Sequence, residues 1–144
     1  MVKLDIGCGK NKKEGYVGID VAKDSDADII ASALSIPVKD AVVDEINCSH
    51  LMEHFYPEEA QKFFDEIFRV LKEGGEASLK VDRDWTRQRL LSKDPEHKYR
   101  YNKREIESMV TNFKARKIKN EIYRFGRRIR NKIFVELKKK GQTQ

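Results

Sequence analysis

The sequence predicts an α/β domain built on a mostly parallel sheet that an antiparallel hairpin completes. Three observations predict it. An apolar run, V-K-L-D-I, breaks into Gly7-x-Gly9, and a second run, Y-V-G-I-D, ends in Asp20. Such a pair reads as two adjacent parallel strands with a ligand bound across their carboxyl ends. Short apolar segments then flank one strongly periodic helical stretch, and two alternating runs around Gly126 end the chain.

The first crossover narrows the ligand. Glycines at 7 and 9 let the backbone approach it closely, because no Cβ stands in the way. Asp20, at the tip of the second strand, can accept hydrogen bonds from both hydroxyls of a ribose, which points to a nucleoside-bearing cofactor. The third glycine of a dinucleotide fingerprint is replaced by Asn11, and only ten residues separate Gly9 from Asp20. A parallel crossover needs about a dozen residues, so any helix between Lys10 and Gly15 is a turn at most. Without a full helix N-terminus the site is poorly equipped for a pyrophosphate, which counts against NAD or FAD and less against a phosphate-free cofactor.

Asp28 to Ser32 is expected as a short third strand, and A-L-S-I-P turns the chain at Pro37. Val42 to Cys48 reads as a buried fourth strand that delivers Ser49 and His50 to the carboxyl edge beside Gly7. His50-x-x-Glu53-His54 matches a zinc peptidase pattern. That pattern needs a sustained helix and a further ligand, and here it follows a strand and runs into Tyr56-Pro57, so no metal is expected. For His54 the bland reading is a short-helix cap packed on the core. Pro57 opens the clearest helix, with Glu58 and Glu59 in its first turn and Lys72 in its last. Ala60, Phe63, Phe64, Ile67, Phe68 and Leu71 form its core stripe. Gly74-Gly75 should end it, and Ala77 to Val81 should be strand five. Trp85 to Leu91 suggests a short helix and Lys103 to Phe113 a longer one. Ala115 to Phe125 and Asn131 to Lys138 are the terminal hairpin.

Five ordered blocks carry a resemblance: L-D-I-G-C-G at 4 to 9, G-I-D at 18 to 20, D-I-I-A-S-A-L-S-I-P at 28 to 37, D-E-I-N-C-S-H-L-M-E-H at 44 to 54, and F-R-V-L-K-E-G-G at 68 to 75. Together the chain is similar to class I S-adenosylmethionine-dependent methyltransferases, of the small methyltransferase type 11-like kind. The resemblance implies a Rossmann-like, seven-stranded, mostly parallel sheet with an antiparallel C-terminal strand, helices on both faces and a shortened first crossover. It implies S-adenosylmethionine as cofactor, held by Asp5, Gly7, Cys8, Gly9, Asp20, Val21, Ser32, Leu34, Ser49 and His50. The family commonly has an acid for the adenine amino group where this chain has Ser32. Serine accepts that bond less strongly, and main-chain groups of Ala33 and Leu34 can contribute.

Methyl transfer from a sulfonium is an in-line displacement that needs no metal. Holding the reactants in near-attack geometry can supply roughly 7 to 11 kcal/mol of the barrier. A base matters only if the acceptor must lose a proton. His50 is the candidate catalytic residue, since an unperturbed imidazole, with a pKa of about 6.5, can be neutral near pH 7. The alternative is that His50 merely lines the pocket.

At 144 residues the chain is expected to be one domain, 1–144. No signal peptide or membrane-spanning apolar run is visible, and Cys8 and Cys48 read as free thiols, so a cytoplasmic protein with no membrane partner is expected. Net charge is +6, but it is divided unevenly: residues 1–82, the cofactor-binding half, are acidic, whereas residues 83–144 are strongly basic. The basic half is the expected substrate side, with Trp85, Tyr99, Tyr101, Arg124, Arg127 and Arg128 as its face. Aromatics interleaved with cations suit RNA or single strands. The leading expectation is methyl transfer to an anionic substrate, RNA among the candidates. The rival is a methyltransferase-like binding module, for nucleic acid or protein, that has lost catalysis.

Overall fold

Leu4, Asp5 and Ile6 are all buried, which places Lys3–Ile6 (β1) in the interior of a sheet. Val17–Asp20 (β2) pairs with it on one side and Val43–Ser49 (β4) on the other, both parallel. The two-residue strand Ile29–Ile30 (β3) adds to β2, and Leu71–Asp82 (β5) adds to β4, again parallel. Arg128–Lys138 (β7) lies antiparallel between β5 and the edge strand Ala115–Phe125 (β6). The resulting order is β3-β2-β1-β4-β5-β7-β6, the expected seven-stranded sheet. The computed structural model describes residues 1–83 and 98–139, and the helix expected at Trp85 to Leu91 lies outside them.

Pro57–Val70 (α1) connects β4 to β5 and buries Ala60, Phe63, Phe64, Ile67 and Val70. Pro57 occupies its first turn, and the Tyr56 N–H donates to Glu59 Oε1 at 3.2 Å. Lys103–Met109 (α2) opens on Asn102, whose Oδ1 accepts from the Glu105 N–H at 2.8 Å. Phe68 of α1 meets Phe113, just past α2, edge to face at 5.3 Å.

Both described α-helices therefore lie on one face. Toward them point Ile46, Cys48, Ala77, Leu79, Val81, Ile133, Val135 and Leu137, all in the core, while Ser78, Glu136 and Lys138 alternate outward and are exposed. The expected helices on both faces are thus seen on one only among the described residues. On the other face the loop after β1 covers β1 and β4: the Lys13 N–H donates to Asp5 Oδ2 and the Tyr16 hydroxyl to Glu45 Oε2, each at 2.8 Å. The shortened crossover is the cause, since it has no room for a helix.

Element ends differ from expectation for identifiable reasons. The helix stops at Val70, so Leu71 and Lys72 belong to β5; Leu71 pairs with Val43, and Lys72 reaches Asp44 at 3.3 Å. Lys139 caps α1 from the far end of the chain, donating to the carbonyls of Phe68 and Leu71 at 2.7 and 2.9 Å. A Cβ on Gly75 would meet the Lys72 and Val43 carbonyl oxygens at 2.9 and 3.1 Å, so only glycine lets β5 resume beside β4. β7 begins at Arg128, not Asn131, because the turn is only Gly126-Arg127, with Gly126 at φ +62°.

Candidate cofactor and substrate site

At the carboxyl ends of β1 and β2 the chain leaves a groove lined by Gly7, Ile19, Asp20, Val21, Ala31, Ser32, Ala33, Leu51 and Phe55. Gly7, at φ +69°, forms its floor, and a Cβ there would come within 3.1 Å of Leu51 Cδ1. Glycine is thus required twice, by backbone conformation and by the leucine packed over it. Asp20 is held in place by main chain: Gly9 N–H donates to its Oδ2 at 2.8 Å and Ala22 N–H to its Oδ1 at 2.9 Å. Each oxygen keeps a lone pair for a ligand hydroxyl. Hollows on the uncovered sheet face, such as that between Glu76, Ser78, Lys117 and Glu136, are open and polar and lie away from this corner.

Of the residues assigned to the cofactor, Gly7, Asp20, Val21 and Ser32 line the groove. The others do different work. Asp5 is 4% exposed, and its second oxygen accepts from Asn47 Nδ2 at 3.0 Å, so its carboxylate ties the first loop to β4. Gly9 orients Asp20. Cys8 is buried against Gly18, and burial together with Asp5 and Asp20 pushes its thiol pKa up. Burial pushes Cys48 further up, so both cysteines are inert thiols. The Leu34 N–H donates to Ser32 Oγ at 3.1 Å, which engages both groups in a local turn. Ile19, Ala31, Leu51 and Phe55 were not singled out from sequence, and Ala33 only for its main chain. Leu51 and Phe55 carry the apolar signal of a four-residue spacing, but only the fold shows which groove they roof.

His50 stands at the carboxyl end of β4 with φ +59°, a strained conformation for a non-glycine residue. Its N–H donates to the Lys80 carbonyl at 2.8 Å. Its Nε2 lies 3.1 Å from Lys132 Nζ, and Lys132 also reaches Asp82 Oδ1 at 3.7 Å. An ammonium can only donate, so the lone pair a general base would use is engaged by Lys132. Ser49 is exposed beside it and pairs with Lys80 across β5. Glu53 lies behind them, fully buried, and among the described residues neither oxygen meets a donor at full hydrogen-bonding geometry, though main-chain N–H groups lie near. Burial chiefly, with Asp82 adding, pushes its carboxyl up to about 7, against an opposing pull from main-chain N–H groups and Lys132. Among the described residues no three metal-ligating side chains converge, and Glu53 is turned into the core.

The expected substrate face divides. Tyr101 is a correction: it is fully buried, and its hydroxyl donates to the Phe55 carbonyl at 2.6 Å, so it cannot stack on a ligand. Tyr99 is half-buried against it and donates to Glu105. Trp85 lies outside the described residues. Arg124 and Arg127 are exposed at the hairpin tip, where Arg128 begins β7. The tip projects past Asp82 on the edge that bears the groove, two strands from β4. Arg83 and Arg100, not assigned from sequence, stand nearer: Arg83 directly follows β5, and Arg100 precedes Tyr101.

The methyltransferase domain family matches residues 4–79, more than half of the chain. No curated protein matches it. Among solved structures, phosphoethanolamine N-methyltransferase 2 of Haemonchus contortus, in complex with phosphomonomethylethanolamine and S-adenosylhomocysteine, superposes with a TM-score of 0.76 at 16% identity. That match covers 98% of this chain and 49% of the other, so this chain spans about half the length of that relative. A SAM-dependent methyltransferase from Archaeoglobus fulgidus gives 0.75 at 18% identity, covering 95% and 85%. The YcgJ protein from Bacillus subtilis gives 0.74 at 17%, covering 97% and 92%. The family match, the glycine corner at β1 and the sheet order agree: the chain belongs to the methyltransferase domain family and has the fold of class I S-adenosylmethionine-dependent methyltransferases.

Proposed function

We propose that this chain transfers a methyl group from S-adenosylmethionine to an anionic acceptor. The observation that carries it is the groove between Gly7 and Asp20. Its chemistry fits the cofactor: Asp20 offers acceptors to ribose hydroxyls, while Ala31, Ala33 and the exposed Val21 offer apolar contact to a base. The Ala33 N–H donates to no described residue. When bound, the cofactor supplies an electrophilic methyl on a sulfonium. The chain's own part is to bind it, keep water out with Leu51 and Phe55, and present the acceptor at the edge formed by Ser49, His50 and Arg83.

The acceptor's charge is inferred from the cations on that edge, Arg83, Arg100 and the hairpin arginines. The name of the Haemonchus relative, whose acceptor is a small phosphorylated amine, supports a small anion, while the hairpin tip supports RNA. Calorimetric titration with S-adenosylmethionine, followed by transfer of labelled methyl groups to RNA, protein and metabolite pools, tests the reading. Micromolar binding with label in an anionic pool is expected. No heat at millimolar cofactor and no labelled product would leave the chain a methyltransferase-like binding module.

A further inference from the structure

Arg83 is a half-buried arginine with an unmet hydrogen-bonding need. Its Nε is buried with no acceptor, and its side chain makes no hydrogen bond or ion pair with a described residue. A guanidinium taken out of water without a partner is costly, and such groups are almost always paired. The nearest charges make the cost larger. Burial, and then the like charge of Arg100, pull the Arg83 pKa down, and only Glu105 opposes them. Glu105 is already engaged at both oxygens, one by the Tyr99 hydroxyl and the other by the Asn102 N–H. Arg100 is exposed and likewise makes no ion pair with a described residue. Among the described residues, two neighbouring guanidiniums are left without a carboxylate.

The backbone fixes where these two groups stand. The Arg83 N–H donates to the Asn131 carbonyl at 2.9 Å, which pins the residue at the carboxyl end of β5 beside β7. The N–H groups of Lys98 and Tyr99 both donate to the Glu53 carbonyl, at 2.7 and 3.3 Å. The Tyr101 hydroxyl donates to Phe55, which roofs the cofactor groove. Arg100 is therefore held between two anchors next to the groove, on the side away from β3.

We propose that Arg83 and Arg100 form a subsite for a phosphate group of the methyl acceptor. It rests on the methyltransferase reading above and adds the class of acceptor. A planar guanidinium offers parallel N–H donors that match two phosphate oxygens, and a second cation beside it neutralises a dianion. The missing acceptor of Arg83 Nε and the repulsion between the two arginines are both relieved by one anion. The phosphate can come from a small phosphorylated acceptor or from an RNA backbone, and the probes below distinguish the two.

The test is titration of the full chain at low ionic strength with inorganic phosphate, a small phosphomonoester and a single-stranded RNA oligonucleotide, with and without S-adenosylmethionine. Phosphate or phosphomonoester binding is expected, weakened roughly tenfold or more by Arg83→Gln and again by Arg100→Gln. Lys119→Gln on the outer face of β6 should leave it unchanged. Arg83→Lys, which keeps the charge but loses the fork, should fall between. Preference for the phosphomonoester assigns a small acceptor, and preference for the oligonucleotide with a steep salt dependence assigns RNA. Should the glutamine variants fail to fold, protection of Arg83 from phenylglyoxal by phosphate, mapped by mass spectrometry in the wild type, gives the same answer. Binding that survives both substitutions, absence of binding by all three probes, or unprotected Arg83 overturns the subsite. S-adenosylmethionine affinity, measured in the same cell, reports separately on the methyltransferase reading.

Discussion

Lys132 Nζ lies 3.1 Å from His50 Nε2, a contact between residues 82 apart in the chain. Because the ammonium has no lone pair, the imidazole accepts at Nε2 and carries its proton on Nδ1. Long-range proton–nitrogen spectra should show that tautomer for neutral His50, and Lys132→Met should release it. A wild-type Nε2–H signal would disprove the arrangement. If His50, with Nε2 engaged, only positions the acceptor, His50→Gln should lower methyl transfer by less than about tenfold. A loss of two to four orders of magnitude, the range of a general base, would restore the catalytic role.

Asp20→Ala should weaken S-adenosylmethionine binding by about 1.5 to 3 kcal/mol, the range for hydrogen bonds to a charged group. It should also lower the melting temperature, since the carboxylate holds the N–H groups of Gly9 and Ala22. Affinity unchanged within error would remove Asp20 from the site. Gly7→Val should do worse, from strain at φ +69° and crowding of Leu51.

Glu53 makes stability depend on pH in a defined direction. Its carboxyl titrates at about 7 when folded, above the usual 4.5, so the native state holds the proton more tightly than the unfolded chain. This contribution is fully present below pH 4.5 and is lost as pH rises through 7; the raised pKa corresponds to about 3 kcal/mol. Glu53→Gln, which cannot ionise, should therefore gain stability relative to wild type at pH 8 and differ little at pH 5. Denaturant melts at the two values check it, and an equal difference at both would refute the assignment.

Arg69 holds the turn that follows the groove. It donates to the carbonyls of Ile36 and Val38 at 2.8 and 2.9 Å and to Asp40 and Glu66 at 2.8 and 2.7 Å, while Glu66 accepts from the Ile36 N–H. Arg69→Ala should cost about 2 to 3 kcal/mol and weaken cofactor binding through the Ala31 to Ala33 wall. Loss of stability with unchanged cofactor affinity would confine its role to the fold.

If the hairpin tip binds RNA, log affinity should fall against log salt with a slope near −0.7 per phosphate neutralised. Replacing Arg124 and Arg127 with Ala should flatten it by about one to two units and leave S-adenosylmethionine affinity unchanged. Salt-independent RNA binding would assign the tip to surface solvation.

The succession of strands along the chain, the glycine corner and Asp20 were legible in the sequence because each is written locally. Apolar runs mark strands, Gly7 marks a backbone that must turn, and a carboxylate at a strand tip can face only the carboxyl edge. The periodic stripe of α1 was equally local. Residues whose role depends on a remote neighbour were not legible. Tyr101 sits in a run of alternating cations that suggests a surface, yet its ring is in the core because the chain from Lys98 onward is tied to Glu53 and Phe55. Sheet register, not local pattern, sets Lys132 opposite Asp82 and so beside His50. The same register carries Lys139 to the end of α1, which no propensity in that helix announces. Side-chain period and turn chemistry act over a few residues, so they are visible in sequence. Which carboxylate, lone pair or cation is already engaged depends on strands distant in sequence, and only the assembled sheet decides it.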